Sequence, residues 1–190
     1  MCGLFGFFGA RPEPGVLALA AQHSARRGPD AWGVLDADGL KRGLLRLDAS
    51  SLSNASGPLI MGHCRLATVL GTGRDLTAVQ PLTRDGMAIS HNGAVYNLSA
   101  LGLRLRTKND SEAWLALMLT YEGPLDQRVI AASSRIDHHG YYALAAHYKG
   151  KIVLATRQMP LFINERSEGV YWSSVSPCAD WRRIEGVYHA

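Results

Sequence analysis

The order of helices and strands predicted from the sequence indicates an α+β domain. A helix follows the first strand, several strands come next, and two helices then precede a last group of strands. Runs of strands and runs of helices, rather than a strict alternation of the two, are typical of layered α+β domains. The chain has 190 residues, which fits one domain with a sizeable core, so residues 1–190 are predicted to form a single domain.

Each element is predicted from apolar spacing and from turn residues. Residues 1–9 alternate small and large apolar groups and predict a buried strand, and residues 14–26 have helical apolar spacing after an early proline. Asp110 is a good N-cap for a helix over 111–121, and a weaker pattern predicts a second helix at 125–134. Strands are predicted at 31–36, 41–47, 58–66, 86–91, 141–148, 151–156, 161–164 and 169–174.

The composition excludes several classes of protein. Hydrophobic residues make up 47% of the chain and charged residues 19%, a balance typical of globular domains rather than disordered ones. The arginines behind the net charge of +4 are scattered, so we expect no direct nucleic-acid binding. No segment approaches the ~20 apolar residues of a membrane helix. The apolar N-terminus has no basic residue before it, unlike a secretory signal, so we expect a cytoplasmic protein.

The three cysteines favour a nucleophile over a disulfide or a metal site. Cys2, Cys64 and Cys178 are an odd, widely spaced set, which does not form a disulfide framework. They show no paired spacing typical of zinc ligands, and we expect neither a metal nor a cofactor. In a reducing compartment, a single well-placed cysteine is a candidate nucleophile.

Cys2 has a special position because it directly follows Met1. Removal of Met1 would place a thiol and a free α-amine on the same residue, and an α-amine with an ordinary pKa of about 7.7–8.0 acts as a base near neutral pH. N-terminal threonine and cysteine hydrolases combine nucleophile and base in this way. The alternative is that Cys2 is only a small apolar residue at the start of a strand.

Four further segments make the catalytic interpretation stronger. After the start MCGLFGFFG they are RRGPD at 26–30, GHCRLAT at 62–68, SHNGAVYN at 90–97 and NDSE at 109–112. Together, in this order, they resemble the glutaminase domain of class II glutamine amidotransferases over residues 1 to about 175. The resemblance implies the N-terminal-nucleophile hydrolase fold, a four-layer αββα sandwich in which two antiparallel sheets pack between helical layers.

The resemblance also implies an oxyanion hole. It assigns the nucleophile to Cys2 and the oxyanion donors to the side-chain amide of Asn92 and the backbone N–H of Gly93. Such donors are often the largest catalytic contribution in acyl transfer. The alternative is that Asn92 and Gly93 form a type I′ hairpin turn, where the pair Asn-Gly is favoured.

Recognition of a free amino acid needs a cation for its carboxylate and an anion for its ammonium. The resemblance assigns these to Arg65 and Asp110, and places Leu66, Thr68 and Val69 beside the glutamine pocket. A guanidinium suits the first task because it binds a carboxylate with two parallel hydrogen bonds. The alternatives are a surface arginine at a strand end and an aspartate that only caps a helix.

Two further predictions concern support and movement near the pocket. Arg27 matches an arginine that supports the cysteine loop in the family, although it could merely pair with Asp30 to fix a turn. Segment 69–77 is rich in Gly and Thr, and suits either a mobile lid or an ordinary surface connection.

The predicted activity is hydrolysis of L-glutamine to L-glutamate and ammonia through a thioester on Cys2. Members of the family usually carry a C-terminal synthase domain that uses the ammonia, but the resemblance covers only the glutaminase domain. We therefore expect a separate synthase subunit to accept the ammonia. Two alternatives remain at this point. One is a free-standing hydrolase of another amide, and the other is a non-catalytic regulatory module with the same fold.

Overall fold

The computed structural model describes residues 1–67 and 75–190. The helices in these residues are α1 (Pro14–Arg27), α2 (Glu112–Thr120) and α3 (Leu125–Arg135), with short 3₁₀ helices at Ala49–Asn54, Leu76–Ala78 and Leu98–Leu101. The strands are β1 (Gly3–Gly9), β2 (Ala31–Asp36), β3 (Gly39–Leu44), β4 (Leu59–Arg65), β5 (Leu82–Arg84), β6 (Met87–Gly93), β7 (Tyr142–Tyr148), β8 (Lys151–Arg157), β9 (Phe162–Arg166), β10 (Gly169–Ser173), β11 (Arg182–Arg183) and β12 (Gly186–His189).

The strands form two antiparallel sheets that pack face to face. The larger sheet has the order β11-β9-β10-β1-β4-β2-β3, and the smaller has the order β12-β8-β7-β6-β5. Helix α1 packs on the larger sheet, and α2 and α3 pack on the smaller one. The α+β class and the four-layer αββα arrangement predicted from the sequence are therefore confirmed.

The core consists of three apolar layers that follow from alternation along the strands. Between α1 and the larger sheet lies Phe5, whereas its neighbour Leu4 points to the opposite face and packs between the two sheets. Successive side chains of a strand point to opposite faces, so a strand covered on both sides is apolar throughout. Trp114 of α2 fills the third layer, against the outer face of the smaller sheet.

Strand β1 lies in the middle of the larger sheet, between β4 and β10. Its first residue, Gly3, pairs with Cys64 of β4. A Cβ atom on Gly3 would lie 2.3 Å from the carbonyl oxygen of Ser24, so glycine lets α1 pack directly on the start of β1. The end of the chain that carries Cys2 is thus fixed on three sides.

Most predicted elements are present with shifts of a few residues, and three strands were missed. These are β5, β11 and β12, which have only two to four residues each. None of the described helices is long and apolar enough to cross a membrane.

Candidate active site

Cys2 lies at the entrance to β1 and is half-buried. Since Gly3 pairs with Cys64, Cys2 and Arg65 are the next residues on the two adjacent strands. The Cys2 Sγ atom lies 3.9 Å from the carbonyl oxygen of Leu66. Burial raises the pKa of the Cys2 thiol, while the positive charges of the N-terminus, Arg65 and Arg27 act in the opposite direction. The charged side chains that act on this thiol are therefore cations, which favour its thiolate form.

Asn92 brings the smaller sheet into contact with Cys2. Its Nδ2 atom donates a hydrogen bond to the carbonyl oxygen of Cys2 at 3.2 Å, and the side chain is buried. Asn92 pairs with Ala143, and Gly93 pairs with Tyr142, both in the β6–β7 ladder. The alternative of a type I′ hairpin turn at Asn92-Gly93 is therefore wrong.

Gly93 has a backbone conformation that favours glycine. Its φ angle is +152°, and a Cβ atom would lie 2.6 Å from Nε2 of His91 and 3.0 Å from the carbonyl oxygen of Tyr141. A side chain at this position would displace the end of β6. The glycine thus keeps the backbone beside Asn92 open to an approaching group.

Gln80 holds the residue before Asn92 and was not singled out from the sequence. Its Oε1 atom accepts a hydrogen bond from the backbone N–H of His91 at 2.5 Å, and its Nε2 donates to the His91 carbonyl at 3.1 Å. Nε2 also donates to Oγ of Ser111 at 3.1 Å, and that hydroxyl lies 2.9 Å from Nδ1 of His91. All three residues are buried. They form one closed set of hydrogen bonds under the Asn92–Gly93 segment.

The segment before α2 contributes to the same region through Asp110. Its Oδ2 accepts a hydrogen bond from the backbone N–H of Val95 at 2.8 Å, two residues after Gly93. The helix cap is Ser111, and no side-chain cap hydrogen bond forms there. The prediction that the Asp110 side chain caps this helix was wrong, because this side chain accepts from the N–H of Val95 rather than from an N–H of the first helical turn.

Arg27 is bound to the backbone next to β1. Its Nη1 donates to the carbonyl of Ser174 at 2.7 Å, and its Nη2 lies 3.3 Å from Sδ of Met1. Ser174 in turn accepts a hydrogen bond from the N–H of Leu4 through Oγ, at 2.9 Å. Burial lowers the pKa of Arg27, and the nearby Cys2 raises it.

Asp30 fixes the chain after β4 instead of pairing with Arg27. Its Oδ2 accepts from the N–H of Ala67 at 2.7 Å, and its own N–H donates to the carbonyl of Arg65 at 3.0 Å. The alternative of an Arg27–Asp30 pair is therefore wrong. Asp30 instead orients the residues that lead away from Arg65.

Other predicted residues lie outside the described part of the chain. Thr68 and Val69 belong to residues 68–74, as does most of the predicted lid at 69–77. Among the described candidates, the structure brings Cys2, Asn92 and Arg65 together and places Asp110 beside the turn that follows Gly93.

This arrangement combines groups of several chemical types in one region. It offers a thiol, a buried side-chain amide that donates, a guanidinium and a carboxylate.

The chain is similar to two groups of curated enzymes. It is 29% identical to glutamine–fructose-6-phosphate aminotransferase of Mycolicibacterium paratuberculosis, over 86% of this chain and 30% of that protein. It is 28% identical to amidophosphoribosyltransferase of Rhizobium etli, over 86% of this chain and 37% of that protein. The chain is a homologue of class II glutamine amidotransferases. No protein-family model matches the sequence.

Similarity to solved structures shows that the chain has the N-terminal-nucleophile hydrolase fold. Glutamine phosphoribosylpyrophosphate amidotransferase from B. subtilis superposes with a TM-score of 0.75 at 21% identity, over all of this chain and 49% of that one. A predicted glutamine amidotransferase from Pseudomonas aeruginosa has a TM-score of 0.55 at 14% identity, over 99% of this chain and 92% of that one. The present chain spans about a third of the length of the curated relatives that it matches.

Proposed function

We propose that this chain hydrolyses L-glutamine to L-glutamate and ammonia through a γ-glutamyl thioester on Cys2. The observation that carries the proposal is the hydrogen bond from the Asn92 amide to the carbonyl of Cys2. It supports the proposal because a buried donor of the smaller sheet reaches the backbone of Cys2, the cysteine whose α-amine would be freed by removal of Met1. Homology to class II glutamine amidotransferases supports the same chemistry.

The proposed mechanism begins with the removal of Met1. The freed α-amine takes the proton of the Cys2 thiol, and the thiolate attacks the amide carbon of glutamine. Asn92 Nδ2 and the N–H of Gly93 donate to the oxygen that becomes negative. The amine returns the proton to the leaving nitrogen, ammonia departs, and a thioester remains. Water then adds to the thioester with the amine as base, which releases glutamate and restores the thiol.

Arg65 and Asp110 are proposed to select the substrate. Arg65 lies at the end of β4 next to Cys2, where a guanidinium can bind the α-carboxylate. Asp110 lies beside the turn after Gly93, where its second carboxylate oxygen can accept from the α-ammonium. Leu66, Thr68 and Val69 are proposed to flank the side chain of the substrate. A pair of opposite charges favours an unblocked amino acid over other amides, which counts against a free-standing hydrolase of different specificity.

The experiment for this proposal tests the terminal amine and the thiol together. Intact mass should show that Met1 is absent, and a diazo-ketone analogue of glutamine should label Cys2. Cys2→Ala should lose both labelling and turnover, whereas Cys178→Ala, which removes an exposed thiol, should lose neither. Full glutaminase activity in a protein that keeps an uncleavable extension before Cys2 would refute the mechanism. Absence of glutamine binding would favour the non-catalytic module.

We also propose that a separate synthase subunit receives the ammonia. A glutaminase that releases ammonia without an acceptor wastes glutamine, so slow turnover is expected until a partner and its substrate are present. Addition of the product of a neighbouring synthase gene should raise the rate several-fold. Fast turnover that no candidate partner changes would favour the free-standing hydrolase.

A further inference from the structure

Two adjoining cavities lie between the edge strands of the two sheets, away from Cys2. The larger, of about 680 Å³, has apolar walls formed by Leu35, Leu40, Leu59, Met87 and Ala88. Leu59 begins β4, and Arg65 ends it, so at ~3.3 Å per residue this cavity is about 20 Å from the end of the strand beside Cys2. The cavity is therefore separate from the candidate active site.

The smaller cavity, of about 240 Å³, is cationic. Arg42 of β3 and Arg106 both line it, together with the hydroxyl-bearing residues Thr83 and Thr107. It shares Leu40, Thr83 and Arg106 with the larger cavity, so the two adjoin. A charged cavity thus lies beside a more apolar one.

Among the residues that the structure describes, neither arginine of this cavity forms an ion pair, whereas Arg166 and Arg182 each pair with at least one carboxylate. Arg42 donates from Nη2 to the carbonyl of Pro81 at 3.2 Å, but its Nε is buried without a hydrogen-bond partner. Burial lowers the pKa of Arg42. A half-buried guanidinium without a counter-charge is costly, and an anion would offset that cost.

The acidic residues around the cavities are already engaged. Glu112 lines the smaller cavity, but its carboxylate accepts hydrogen bonds from the N–H groups of Arg106 and Thr107 and from the Thr107 hydroxyl. In the larger cavity Asp36 pairs with Lys41, and Asp85 lies 3.5 Å from Nε of Arg84. His147 is half-buried there, and burial lowers its pKa.

We propose that these cavities bind a small organic anion. Its phosphate or carboxylate group would lie between Arg42 and Arg106, within reach of the hydroxyl of Thr83. Guanidinium groups suit either anion, because their fixed N–H donors match the oxygens in pairs. The apolar part of the ligand would fill the larger cavity, whose volume is typical of small-molecule sites.

The position of this site also connects it with the residues below Asn92. Pro81, which Arg42 binds, follows Gln80 in the chain, and Glu112 follows Ser111. Gln80 and Ser111 are the residues that hold His91. Occupancy is therefore expected to change glutamine turnover. That consequence rests on the proposed function, whereas binding itself does not.

The test is calorimetric titration with phenyl phosphate, phenylacetate and inorganic phosphate. Arg106→Gln and Arg104→Gln form a matched pair, since Arg104 is an exposed arginine on the same loop that lines neither cavity. Saturable binding of phenyl phosphate or phenylacetate should weaken at least tenfold in Arg106→Gln and stay unchanged in Arg104→Gln. Using Cys2→Ala as background keeps the result independent of glutaminase activity.

Three outcomes would overturn the proposal. The first is no saturable binding of either organic anion at millimolar concentration. The second is equal weakening in the two arginine variants, which would indicate a general charge effect. The third is equal affinity for inorganic phosphate and phenyl phosphate, which would show that the apolar cavity contributes nothing.

Discussion

Replacement of Gln80 by methionine should displace Asn92 while leaving the binding of substrate nearly unchanged. Methionine has nearly the same length but removes both hydrogen bonds to the backbone of His91 and the one to Ser111. The N–H and carbonyl of His91 would then be buried without these partners. At about 1–3 kcal/mol for each group, the free energy of unfolding should fall by roughly 2–6 kcal/mol, unless the segment shifts to find other partners.

A shift of that segment would move Asn92 and Gly93 relative to Cys2. Loss of one oxyanion donor costs about 10²–10³ in rate, which sets the upper limit. We therefore expect kcat of Gln80→Met to fall by about 10–100-fold. KM should change by less than about threefold, because Arg65 and Asp110, the proposed substrate-binding residues, keep their positions.

Two serine variants provide the control for this prediction. Ser111→Ala removes a hydroxyl that contacts both His91 and Gln80, and should lower kcat in the same direction but less. Ser90→Ala removes a buried hydroxyl of β6 that has no hydrogen-bond partner in the described structure, and should change neither kcat nor stability appreciably. Steady-state glutamate production and urea unfolding measure the two effects. A destabilised Gln80→Met with unchanged kcat, or with only a raised KM, would refute the reasoning.

Three further results are expected. Asp110→Ala should mainly raise KM for glutamine and Asn92→Ala should mainly lower kcat, so a change confined to KM in Asn92→Ala would contradict its assignment. Gly93→Ala should lower both stability and kcat, since its Cβ would lie 2.6 Å from Nε2 of His91; wild-type urea unfolding would contradict this. Burial lowers the pKa of His63 and His91 to about 3, so below pH 6.5 the unfolded chain takes up more protons than the folded one. The free energy of unfolding in urea should thus fall by about 1.5 kcal/mol per histidine from pH 6.5 to 5, and a constant value would contradict the prediction.

The layered fold followed from the sequence because its main elements have clear apolar patterns. The strand β2 was predicted at residues 31–36, where it lies, and α1 ends one residue beyond its prediction. By contrast, β11 is the two-residue exposed segment Arg182–Arg183, which has no apolar alternation to reveal it. Such a short strand forms because a neighbouring strand has an unpaired edge. The residues of the short strand itself do not show that this edge is available.

The contacts of the site were harder to predict because they join distant parts of the chain. Asn92-Gly93 is a strong local signal for a turn, but pairing with residues 142–143 keeps it in a strand. Asp110 has the local signature of a helix cap, but its side chain accepts a hydrogen bond from an N–H fifteen residues away. Gln80 carries no motif, and its importance depends only on the position of His91.

The central position of β1 has a consequence for synthesis of the chain. Its partner β10 comprises residues 169–173, so the sheet around Cys2 cannot close until more than 160 further residues have left the ribosome. Pairing across such a separation is slow, because a long loop must close before contacts compensate for it. The N-terminus therefore stays outside the finished sheet for most of translation. That interval would give an aminopeptidase early access to Met1, whose removal the proposed mechanism requires.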